Sequence, residues 1–448
     1  MFDLIVGSVC AAMIGACANG SAPPVTANIA TQVGSDTCNQ PPPPAPVLVP
    51  GAQFEQPPVV SAADLISESA LAGPGYCVGS LVPTNGAMGQ YTIVLESSVF
   101  PDDAGTYQVE SLNLLKIRLS EIPAMHYLED MSKTDLFVKS VGTAAERPVS
   151  DAVQMAAHPM DTVTGLPSGV GELLGRVNLG ANELWSTAAN SSEGGSERAE
   201  QVGEETGSVT LTALGYDKDR RDLARKLNVD PYTTNPILKR QLNQAAWVIF
   251  SARIGVEAAM TVAVPGSTII SGVEMTEGLI YDTPKGDLIL LVEKQLKSFG
   301  VAPDVIATFA HNPALPLSLQ VTAVKNLEAL GDIPGRREVV QELASAVTEY
   351  QARFVVSSLK MLVNYGQLNG SITALAAAGP IVGRAQNGVT VMPAPVDYVS
   401  WTQRIAGFAT SPTFQGSQNR ILLITGQMTA LARQQLSSSG WQPTGNTQ

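Results

Sequence analysis

Few side chains in this sequence stand at spacings that chemistry needs. Ser357-Ser-Leu-Lys360 has the S-x-x-K pattern, which sets an amine one helical turn from a serine hydroxyl and lets it take the hydroxyl proton. The pair lies inside a long predicted helix, without the S-D-N and K-T-G motifs that accompany it in Ser/Lys enzymes, so plain helix surface is the competing reading. The sequence contains no G-x-S-x-G elbow, phosphate-binding glycine loop or dinucleotide fingerprint. Its three histidines, His126, His158 and His311, lie far apart and form neither HExxH nor H-x-H. His158 and His311 stand just before turn prolines, where an imidazole caps or packs. The carboxylates from Glu193 to Glu205 lack the Asp/Asn spacing and turn glycine of a calcium loop. No cofactor and no metal site is expected.

Thiol chemistry is confined to the start of the chain. Cys10, Cys17, Cys38 and Cys77 are the four cysteines, and no CxxC pair exists to begin a metal site. Leu4 to Ala16 is a short apolar run of signal-peptide length, too short to span a bilayer. Ile14-Gly-Ala-Cys17 matches a lipobox, which would make Cys17 a lipidation site; Ala16-Cys-Ala18 matches ordinary signal-peptidase cleavage. The Met1-Phe-Asp start lacks the Lys or Arg that such leaders carry. A buried N-terminal strand or helix is the structural alternative. From Ser21 to Pro58 the chain is Pro-rich, with Pro41-Pro-Pro-Pro-Ala-Pro46, and reads as an extended tether. In an oxidising compartment Cys38 and Cys77 could close a loop of about forty residues; two unrelated free thiols is the other reading.

Composition narrows the class of partner. The 448-residue chain is 44% hydrophobic and only 15% charged, with a formal net charge of −13. That balance disfavours nucleic acid and anionic membrane surfaces, which need concentrated basic charge. The exception is the stretch after Tyr216, where Arg220, Arg221, Arg225, Lys226, Lys239 and Arg240 gather. A helix-turn-helix is disfavoured by the interleaved Asp217, Asp219, Asp222 and Asp230 and by the long break at Asn228 to Pro236. Ion pairs at i,i+3 and i,i+4 on a solvated face explain the pattern. A site for an anionic ligand or acidic partner is the other reading.

Periodicity supplies the elements that must position these groups. Tyr91 to Leu95 reads as a lone strand. Val109, Leu112, Leu115 and Leu119 give a helix ending before Pro123, and Leu136, Val138 and Val141 continue in a second. Residues 148–190 carry short, glycine-containing amphipathic helices too weak to stand alone. They pack on the protein's own core, on a partner chain or on a lipid interface. Helices follow around Leu288, Pro303 to Phe309 and Leu317 to Leu330, then one long helix from Pro334 to Tyr365 striped by Val339, Leu343, Val347, Tyr350, Phe354 and Met361. Asn387-Gly388 turns a hairpin, and Ile421 to Ile424 is a strand able to join it.

The expected fold is mainly α: a multi-helix, bundle-like body with a small C-terminal α/β element of hairpin plus strand, behind a disordered Pro-rich N-terminal segment. The expected organisation is a signal at 1–18, tether at 19–60, an N-terminal region at 61–190, an acidic linker at 191–208, a helical core at 209–370, the α/β element at 371–441 and a tail at 442–448. The expected function is that of an exported bacterial envelope protein, periplasmic or at the outer membrane. It would bind another envelope protein without catalysis, and a lipid on Cys17 would anchor it. An oligomer is compatible with this reading. The alternatives are an envelope hydrolase using Ser357 and Lys360, and a carrier of a lipid or other apolar ligand.

Overall fold

The structure, a computed structural model, describes residues 35–41, 53–134, 137, 203–252, 277–377, 380–414 and 419–445. They form two compact units. One holds the described residues through Ser120 and from Leu291 onward, and the other those from Glu121 to Ala252 and from Gly278 to Leu290.

The chain is 52% helical and 19% strand where it can be interpreted, with four sheets of up to five strands. The expectation of a mainly α bundle with a small α/β element is therefore wrong. Two physical reasons account for it. Strands of two or three residues carry no legible alternation, and several of the N-terminal strands are that short. A sheet assembled from distant parts of the chain also leaves no local signature of its size.

In the first unit, β1 (Val59–Ser61), β2 (Ala72–Gly73), β3 (Tyr76–Val78), β4 (Leu81–Pro83), β5 (Gln90–Leu95) and β6 (Gly105–Glu110) precede the first long helix. β1 pairs with β4, and the others form an antiparallel sheet in the order β2-β3-β5-β6. Tyr91, fully buried on β5, faces Val109 of β6. Residues Tyr107 to Glu110, expected in a helix, are thus strand; the helix begins after Ser111, whose φ of 76° makes the left-handed bend. Cys38 and Cys77 are joined by a disulfide with Cα atoms 6.1 Å apart, fixing the 35–41 segment to β3. Ser80 reinforces this by donating from its N–H to the Thr37 carbonyl at 3.2 Å and from its hydroxyl to that of Gln40 at 3.1 Å.

Four helices follow in this unit: Pro303–His311, Leu317–Ala329, Arg336–Ala344 and Glu349–Asn369. The single helix expected from Pro334 to Tyr365 is two. Thr348 accepts from the Gln351 N–H, and the Gln351 side chain accepts from the Thr348 N–H, a reciprocal cap that starts a new helix. Val347, expected in the buried stripe, is 82% exposed in the break between them.

The C-terminal sheet has the order β13-β11-β9-β8-β7, built from β7 (Ile372–Ala377), β8 (Ile381–Ala385), β9 (Thr390–Ala394), β11 (Arg420–Ile424) and β13 (Trp441–Gly445). β7, β8 and β9 meander antiparallel, whereas β9, β11 and β13 are parallel. Parallel neighbours need crossovers, supplied by the helices Gln403–Ala409 and Ala430–Ser438. Each starts at a threonine, Thr402 or Thr429, that accepts from the backbone N–H three residues on. Beyond the carboxyl ends, β10 (Tyr398–Val399) and β12 (Gln427–Met428) form a second parallel pair. The core beneath the crossovers holds Phe408, Phe414 and Trp441 with ring centroids 5.0 to 5.4 Å apart. Such pairs add about 0.5–1.5 kcal/mol each beyond their burial. The Trp441 indole N–H donates to the Ala409 carbonyl at 3.1 Å, so its one polar atom is satisfied.

The second unit centres on a helical hairpin of Gly203–Leu227 and Pro236–Ala252, with Asn228 at φ 55° turning the chain between them. Leu223, Leu227, Leu238 and Leu242 are almost wholly buried. The Leu112–Ser132 helix continues through Pro123 into this unit instead of ending there. The proline costs the helix one backbone hydrogen bond, and the buried Ile122, Ala124, Met125 and Leu128 offset that cost. Leu136, Val138 and Val141, residues 148–190 and the leader all lie outside the described residues.

Candidate functional site

The residues singled out by sequence are placed apart. Ser357 is half-buried on the Glu349–Asn369 helix, where its hydroxyl accepts from the Asn113 side chain at 3.3 Å. Lys360 is one turn on, and among the described residues no hydrogen bond joins the two. His126 faces Asp130 at 3.4 Å on an exposed helix surface. The Nδ1 of His311 lies 2.8 Å from the Ala307 carbonyl of its own helix. Cys17 and His158 lie outside the described residues. Among the described residues no cluster of His, Cys, Asp and Glu is arranged to hold a metal, and no helix is long and apolar enough to cross a membrane.

Two polar centres carry the chemistry of the interior; the sequence singled out the basic cluster of the second but not Asp397 of the first. The first is Asp397, at the carboxyl end of β9 and 4% exposed. Its Oδ2 accepts from the Gly89 N–H at 2.9 Å, the Leu112 N–H at 2.9 Å and the Tyr91 hydroxyl at 3.4 Å. One carboxylate oxygen therefore joins the end of β9, the start of β5 and the first turn of the Leu112–Ser132 helix. Burial pushes the Asp397 carboxyl up to about 6, against the lowering effect of its three donors. Burial also raises the Tyr91 phenol, and the neighbouring Asp397 charge adds to that. Nearby, half-buried Glu55 accepts from the Trp401 N–H and from the Thr429 hydroxyl, the latter at 2.7 Å. Gly426 crosses so close to this edge that a Cβ would lie 2.1 Å from the Asp397 carbonyl oxygen, which no side chain permits.

The second centre is on the hairpin of the other unit. Arg221, 5% exposed, pairs with Asp217 at 3.0 Å and donates to the Tyr281 carbonyl. The same Asp217 oxygen accepts the Lys285 N–H at 3.1 Å. Lys218 pairs with Asp222 at 2.7 Å, and Arg225 with Asp282. Arg221 is thereby neutralised by an aspartate one turn away, and Arg225 by Asp282, 57 positions along the chain.

Arg220 is different. Its guanidinium carbon stands 6.0 Å from the Tyr232 ring centroid, and its buried Nε finds no acceptor among the described residues. The Tyr232 hydroxyl, on a residue 8% exposed, also lacks a partner among them. Burial raises its phenol, with the Asp217 charge next in effect. Burial and then Arg220 hold the Lys285 ammonium below the usual lysine value. Lys285 keeps exposed surface, so that desolvation is only partial.

A third buried group in this unit, Glu121, is fully engaged. It is 2% exposed and accepts from the Thr233 hydroxyl and, at 2.9 Å, from the Asn235 amide. Asn235 in turn caps the Pro236–Ala252 helix through the Ile237 N–H at 3.1 Å.

The chain matches no protein-family model, no curated protein and no solved structure.

Proposed function

We propose that this is an exported protein of the bacterial envelope that binds a partner or ligand without transforming it. The observation that carries the reading is the Cys38–Cys77 disulfide, which closes 39 residues at the point where the Pro-rich segment gives way to the first sheet. Such bonds persist in oxidising compartments and are rare in the cytosol. The leader-like run before Cys17 and the prolyl stretch after it fit the same compartment. Lipidation of Cys17 would anchor the chain, and another envelope protein is the proposed partner.

The absence of catalysis is proposed from how the acidic groups are used. The Oδ2 of Asp397 and both oxygens of Glu121 are spent on donors that fix the fold. A general acid or base must instead face the substrate.

A fusion of residues 1–60 to alkaline phosphatase, which folds actively only after export, tests the compartment. Activity in intact cells is expected, and an inactive cytosolic fusion would contradict it. Mass spectrometry of the mature N-terminus then separates a diacylated Cys17 from a chain cut before Asn19.

A further inference from the structure

We propose that the hairpin of the second unit holds a phosphate-class oxyanion between Arg220 and Tyr232. This deepens the binding role proposed above, but it does not depend on where the protein resides. The geometry supplies two independent signs. The Arg220 Nε and the Tyr232 hydroxyl are buried donors without an acceptor among the described residues, although they belong to side chains that face each other at 6.0 Å. Leaving such groups unpaired forfeits the hydrogen bonds they make in water, so an acceptor is favoured there.

The carboxylates nearby are already committed. Asp217 accepts from Arg221 and from the Lys285 backbone, and Asp230 accepts the Tyr232 N–H at 2.8 Å.

Charge then selects the class of anion. Beyond the effect of burial, Arg220 lowers the tendency of Lys285 to hold its proton and favours ionisation of the Tyr232 phenol, so the centre is cationic on the Arg220 side. A phosphate or phosphate monoester, close to a dianion at neutral pH, answers that cationic character more strongly than a monocarboxylate. Guanidinium and hydroxyl are also donors that phosphate oxygens take.

Calorimetric titration of the full-length oxidised protein tests this, with inorganic phosphate and with acetate at equal ionic strength. Phosphate is expected to bind, and acetate at least about tenfold more weakly. Tyr232→Phe, which keeps the ring packing, is expected to weaken phosphate by about tenfold or more, the loss of one hydrogen bond to a charged group. Arg220→Gln is expected to weaken it further. Circular dichroism and the unfolding midpoint establish that each variant is folded, and the conservative Tyr232→Phe serves if Arg220→Gln is not. Binding that is equal in wild type and Tyr232→Phe would mark an adventitious ion and overturn the proposal. Absence of phosphate binding by the wild type would overturn it as well. Phenyl phosphate as a second probe separates a monoester site, where it binds at least as tightly, from a site for the free ion.

Discussion

Asp397 and the Arg220–Tyr232 pair are two buried polar centres built in opposite senses. At Asp397 three donors converge on one acceptor oxygen, and each of those donors is satisfied. At Arg220 and Tyr232 buried donors face one another with no acceptor between them among the described residues. A closed centre fixes a fold, whereas an open one is held in readiness for something else. The same contrast separates Glu121 from the hairpin centre inside a single unit, so it does not follow from position in the chain.

The largest expected effect comes from opening the closed centre. Asp397→Ala leaves the Gly89 and Leu112 N–H groups buried without an acceptor and should cost about 2–5 kcal/mol in denaturant unfolding. A loss below about 1 kcal/mol would show that water or a neighbour replaces the carboxylate. Removing the Cys38–Cys77 bond with paired serines should cost about 2–4 kcal/mol, because the unfolded chain regains the freedom of the closed loop. The hairpin centre should be untouched by that change.

Asp397→Asn is expected to act far more weakly than Asp397→Ala. All three donors use Oδ2, so an amide oxygen in its place keeps every bond, and stability at neutral pH should fall no more than about 1 kcal/mol below wild type. Its signature is in the pH dependence. The folded state holds the Asp397 proton up to about pH 6, while the unfolded chain releases it near 3.8. Between those values the folded state binds more protons, so this group makes stability fall as pH rises through the window and level off above it. Asp397→Asn should remove that component. An unchanged profile would mean that the carboxyl is not the group titrating.

Parts of this were legible in the sequence. The basic cluster after Tyr216 stands out because charge is scarce elsewhere, and the interleaved aspartates at i,i+4 announce pairs such as Arg221–Asp217. Which arginine keeps a donor without an acceptor among the described residues is set by packing against Tyr232, which the turn brings in, and no local pattern carries that. Asp397 shows a different limit. A single aspartate after a strand looks like any turn residue, and its role is set by Gly89 and Leu112, about 300 positions away. Thr348-Glu-Tyr-Gln351, by contrast, is a capping box that could have been read, and the continuous apolar stripe hid it. Of the N-terminal sheet only the Tyr91 to Leu95 strand is legible, because strands as short as Ala72–Gly73 have no period to detect.

The smallest expected effect bears most directly on the open centre. Thermal unfolding of Tyr232→Phe beside wild type, in chloride buffer free of phosphate, reports whether the hydroxyl has an acceptor within the chain. If it has none, deleting it removes an unsatisfied buried group, and the variant should be more stable by about 1 kcal/mol. A variant less stable than wild type by that amount would show that the hydroxyl already has its acceptor and that the centre is closed.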